Sequence, residues 1–112
     1  MLVMTDRQTV AAGATVANVL TGKLGEFLGG PSIVKLYLQA AAVGCNASLL
    51  IGNETFMQDQ EILPFLATAP GPIIPDHFAC EGAGVQGDRV VVQLRNTTGG
   101  NIIVVTRVEV SS

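Results

Sequence analysis

The chain has 112 residues, which suits one domain with a buried core, expected to span residues 1–112. Only 13% of the residues are charged while 48% are hydrophobic, against roughly 25% charged in an ordinary soluble domain, so ionic side chains cannot solvate the whole outside. The net charge is −3, and the six basic residues (Arg7, Lys23, Lys35, Arg89, Arg95, Arg107) are scattered, which excludes the concentrated positive field that holds nucleic acid.

Taken in order, residues 1–7 read as a flexible N-terminal arm. They lack the basic start and long apolar core of a secretory signal, so synthesis in the cytoplasm is expected. Short strands then fit Gln8–Ala12, Thr15–Leu20 and Glu26–Leu28, although the Ala and Leu content of Thr15–Leu24 also suits a helix. Ser32–Ala41 is the clearest early strand. Val34, Leu36, Leu38 and Ala40 fall on one face and Lys35, Tyr37, Gln39 and Ala41 on the other, the period of two of a half-buried strand.

Leu36 to Asn53 carries no charge and has about the length of a membrane-spanning helix. Gln39, Gly44, Asn46, Ser48 and Gly52 interrupt it, and its first part alternates as a strand does, so no membrane role is expected. Ala47–Ile51, Thr55–Gln60 and Phe78–Glu81 continue the series of strands. Between the last two, residues 63–76 form a long loop in which Pro64, Pro70, Pro72 and Pro75 preclude a central strand. Asp88–Arg95 puts Val90, Val92 and Leu94 inside and Arg89, Val91, Gln93 and Arg95 outside. Asn96-Thr97-Thr98-Gly99-Gly100-Asn101 supplies turn residues, and Ile102–Val110 follows, which predicts a C-terminal antiparallel hairpin. About eight short strands with turn signals between them indicate an all-β fold, an antiparallel β-sandwich of jelly-roll kind.

On the last strand, Ile103 and Val105 lie opposite the face of Ile102, Val104, Thr106, Val108 and Val110. With Val91 on the strand expected beside it, they predict an apolar outer patch for a partner to cover, or for the proline-rich loop of the same chain to fold over. That loop, with Pro70, Pro72 and Ile73, is the other expected contact segment.

Chemistry-bearing groups are sparse. Asp76-His77-Phe78-Ala79-Cys80-Glu81 offers two N or S ligands, His77 and Cys80, where a zinc site needs about four, and a cysteine nucleophile needs a base placed in space. Glu54, Asp59 and Glu61 match no calcium loop and read as the charged edge of a strand. Cys45 and Cys80 read as buried free thiols, with a disulfide as the alternative. Asn46, Asn53 and Asn96 each begin an Asn-x-Ser/Thr pattern, which without a signal segment carries no message. No catalytic residue, metal site or cofactor is expected. A sugar-binding sandwich is a rival, but flat aromatic platforms are scarce, with no Trp and the single Tyr37.

Thr9–Gly13, Ser32–Ala42, Asn53-Glu54-Thr55-Phe56 and Gly87–Gly99 together give the chain a pattern and size that resemble the small jelly-roll capsid decoration proteins of tailed bacteriophages, also called cement or staple proteins. The resemblance implies a non-enzymatic virion protein, made in the host cytoplasm and bound to the outer capsid surface as a homo-oligomer, dimer or trimer. There it clamps neighbouring major capsid proteins, and no site residues carry over. A shell-forming jelly-roll capsid protein, or a fibre or tail component, is the nearest alternative.

Overall fold

Alternation of branched aliphatic and polar residues builds nearly every element. The computed structural model describes residues 2–62 and 78–111. Their strands are β1 (Leu2–Val10), β2 (Thr15–Val16), β3 (Ser32–Ala40), β4 (Cys45–Ile51), β5 (Glu54–Glu61), β6 (Phe78–Gly84), β7 (Val90–Asn96) and β8 (Ile102–Ser111). No helix occurs among the described residues, so the helical alternative for Thr15–Leu24 falls away.

Two antiparallel four-stranded sheets result, ordered β1-β8-β3-β6 and β2-β7-β4-β5. The pairs β1·β8, β2·β7, β3·β6 and β4·β5 are those of one long ribbon folded back on itself. Rolling that ribbon brings β8 against β3 and β7 against β4. This is the double Greek-key jelly roll.

The core lies between the sheets. Val34, Leu36, Leu38 and Ala40 of β3, with Val104 and Val108 of β8, face Cys45, Ala47, Leu49 and Ile51 of β4 and Val90, Val92 and Leu94 of β7. Gly82 and Gly84 do not end β6, as punctuation in the sequence suggests; they lie within it. A Cβ at Gly82 would meet Ile51 and Phe56, and one at Gly84 would meet Ile51 and Leu28, so glycine lets this edge close tightly over the other sheet.

Three sequence expectations are corrected. Residues 2–7 are no arm: they open β1, whose Leu2 and Met4 stand opposite Val110 and Val108 of β8. The expected strand Thr15–Leu20 shortens to two residues because the Asn18 side chain replaces the ladder. Its Oδ1 accepts from the Val92 and Leu20 N–H groups at 3.1 and 3.0 Å, and its Nδ2 donates to the Val90 carbonyl at 3.2 Å. Finally, β7 and β8 form no hairpin. The 97–101 turn carries the chain across the sandwich, and the two strands belong to opposite sheets.

Antiparallel order sorts the connections into two ends. The upper end carries residues 11–14, 41–44 and 97–101. The lower end carries residues 17–31, 52–53 and 85–89. β5 ends with Glu61 toward the upper end and β6 starts with Phe78 from the same side; residues 63–77 between them lie outside the described part.

Candidate functional surface

Several groups with chemical potential are engaged in structure. Asp59 sits at a bulge of β5 with φ of 49°. Its carboxylate accepts from Arg95 Nε at 3.0 Å and its N–H donates to Ser48 Oγ at 2.8 Å. The hydrogen bonds from Arg95 hold that carboxyl below the usual carboxylate range. Glu26 accepts from the Gly22 N–H at 3.0 Å, which lowers its carboxyl, and Arg89 beside it at 2.8 Å acts in the same direction. Cys45 and Cys80 are both free, and burial pushes both thiols up. Cys80 donates to the Phe56 carbonyl at 3.4 Å. Among the described residues no three metal-ligating side chains come together; His77 lies outside them.

The predicted interface residues separate. Ile103 and Val105 do share the outer face of the β1-β8-β3-β6 sheet, Ile103 exposed at 39% and Val105 half-buried. Their row neighbours are Thr9 for Ile103 and Arg7 and Gln39 for Val105. Val91 is not beside them. It lies on the outer face of the opposite sheet, paired with Leu50. Pro70, Pro72 and Ile73 fall outside the described residues.

Two outward positions of β3 depart from the simple alternation. Tyr37 is buried, with its ring edge-on to Phe78 at 5.6 Å between centroids. Gln39 is 0% exposed, and neither end of its carboxamide has a hydrogen-bond partner among the described residues.

Large apolar side chains left exposed mark the surfaces where a partner gains most. Val3, Ile33 and Phe78 stand exposed on β1, β3 and β6, and the others among the described residues fall in two places. At the lower end, Leu24 is exposed at 86%, Phe27 at 57% and Val85 at 59%. Phe27 pairs with Arg89, two residues from Val91 and on the same face, and so continues the outer face that carries Val91 and Leu50. Lys23, Glu26, Asp88 and Arg89 lie around these positions in the same loops, giving apolar anchors inside a polar rim. At the upper end, Val43 is exposed at 60% and stands with exposed Ala11, Ala12, Ala41 and Ala42, close to Ile103 through the Ala41 N–H to Ile103 carbonyl bond of 3.0 Å. Sequence reasoning missed both loop clusters, because exposure in a loop has no periodicity to betray it.

The four sheet edges offer less. β2 has two residues, β5 is bulged and carries Glu54, Asp59 and Glu61, and β6 carries Glu81 and two glycines. β1 is long, but Asp6 lies opposite Thr106 on the core-facing side in mid-strand, an inward charge of the kind that discourages edge pairing. Faces and ends, not edges, are therefore the surfaces available for association. No family model, curated protein or solved structure matches this chain.

Proposed function

We propose that this chain is a virion structural protein, an outer capsid decoration protein that clamps neighbouring major capsid subunits and works by docking, not by catalysis. One observation carries the reading: a small jelly roll, poor in charge, leaves Leu24, Phe27 and Val85 at 57–86% exposure at a single end. Apolar anchors rimmed by charges are the makeup of a binding surface whose core excludes water. Such a protein folds in the host cytoplasm and adds to the outside of an assembled head, where many modest contacts along subunit seams resist internal pressure.

Co-sedimentation of the purified chain with undecorated shells of its own major capsid protein tests this. The wild type is expected to pellet with shells and to raise their heat resistance, and Phe27→Asp to weaken the association at least tenfold while leaving the fold intact, since Phe27 is outside the core. Binding to a glycan array with no affinity for shells would replace this reading with the sugar-binding one. Closed shells formed by the chain alone would replace it with the shell-forming one.

A further inference from the structure

At the lower end the chain leaves the edge of β7 and rejoins it two residues away. The Val19 N–H donates to the Val92 carbonyl at 2.9 Å, and the Val90 N–H donates to the Glu26 carbonyl at 2.7 Å. Residues 20–25 between these points make a closed loop off the sheet edge. Its base is fixed in the core, with Leu20 1% exposed and Gly25 so close to Leu2 and Met4 that a Cβ would clash. Within the loop the Lys23 N–H donates to the Leu20 carbonyl at 2.9 Å and the Glu26 N–H to the Lys23 carbonyl at 3.2 Å. Leu24 stands out from it at 86% exposure, more than any other large apolar side chain among the described residues.

One side chain ties this loop across. Glu26 Oε1 accepts from the Gly22 N–H at 3.0 Å, and Oε2 accepts from Arg89 Nε at 2.8 Å. Gly22 has φ of 77°, so the backbone reverses where Glu26 takes hold. Arg89 is 48% exposed and solvent screens its pairing, whereas Glu26 is only 13% exposed. The charge-assisted bond to the Gly22 N–H is therefore the stronger restraint. We propose that Glu26 is the positioning residue of the docking end: by accepting the Gly22 N–H it clasps residues 20–25 into one shape, so that Leu24 meets its partner as a preformed apolar knob.

An anchor ordered before contact loses little entropy on contact. The identity of the partner, a major capsid subunit, rests on the decoration reading; the clasp is a property of the free chain. Trypsin reads the clasp, because the Lys23–Leu24 bond lies inside the loop while Lys35 lies in mid-β3, where cleavage requires global unfolding. The wild type is expected to resist cleavage after Lys23. Glu26→Ala should speed that cleavage about tenfold or more, with a smaller change after Lys35. Glu26→Gln keeps an oxygen for the Gly22 N–H and should stay within about threefold of the wild type. A wild type cut after Lys23 as fast as Glu26→Ala overturns the inference. So does a rise after Lys35 equal to that after Lys23, or a Gln variant as labile as the Ala variant.

Co-sedimentation with undecorated shells of the chain's own major capsid protein reads the consequence. Leu24→Ala is expected to weaken shell binding about tenfold in the wild-type background. With Glu26→Ala already in place it should weaken binding by less than about threefold, since an unclasped loop no longer presents the knob. Binding that Leu24→Ala leaves unchanged overturns the positioning role. Losses that simply add do so too, because Glu26 would then act on its own account. Shells that the wild type ignores, with the trypsin pattern as expected, uphold the clasp and remove the capsid reading, so the two failures are distinguishable.

Discussion

Asn96 closes β7 with its side chain buried, and its carboxamide holds the upper end together. Nδ2 donates to the carbonyls of Val10 at 2.9 Å and Gly100 at 2.7 Å, while Oδ1 accepts from the Thr98 N–H at 2.9 Å and the Thr98 hydroxyl at 2.7 Å. Both donors and both acceptor positions are used, in a place sealed from water. Asn96→Ala removes all four bonds and strands two carbonyls, at about 1 kcal/mol apiece for bonds of this kind. A loss of about 3 kcal/mol in urea unfolding is expected, and a loss below about 0.5 kcal/mol would sink the account of how the loops are held. The sequence reading took Asn96 only as turn chemistry. A turn asparagine and a buried clamp look alike in sequence, since the distinction depends on where Val10, more than eighty residues away, comes to lie. Tyr37 and Gln39 make the same point on β3. Period-two alternation assigned their face correctly, but not that they are covered there.

At the scale of elements, β1 carries the clearest test. Met4 and Val10 belong to the core, Leu2 packs against it, and nine consecutive residues of β1 pair with β8. Gly25 from the lower end closes onto Met4 and Leu2. Deleting residues 1–7 as a dispensable arm should therefore unfold the protein or cost it several kcal/mol, because buried Met4, worth about 2 kcal/mol, and half-buried Leu2 go with most of the ladder. Circular dichroism melting decides it: a truncated chain with unchanged melting would restore the arm. The strands of strict alternation, β3, β7 and β8, were legible because each has one face against the core. Sheet membership was not. The residues 97–101 announce a reversal, yet whether the returning strand lies beside β7 or crosses to the other sheet depends on β1 and β3 waiting there with open ladders. That single misplacement set Val91 beside Ile103 and Val105, when the sandwich lies between them.

For the whole molecule, the scarcity of charge leaves few groups through which stability can respond to acid. Of the titrating carboxyls, Asp59 and Glu26 are held below their ordinary values of 3.8 and 4.5, Asp59 by Arg95 and Glu26 by the Gly22 N–H and then Arg89. A carboxyl depressed by folding binds its proton more readily in the unfolded chain. Its contribution is therefore complete above the unfolded value and is lost as pH falls through the folded one. Melting temperature should stay level from about pH 8 down to about pH 5 and decline only below about pH 4. The decline should be shallow, since Asp59 and Arg95 are both near half-exposed and solvent screens such a pair. Arg95→Gln removes the cause of the Asp59 depression and should flatten that limb further while leaving the plateau almost untouched. A slope between about pH 7 and pH 5 instead would lie outside the range in which carboxyls such as Asp59 and Glu26 gain their protons. The described network of paired carboxylates would then not be what acid acts upon.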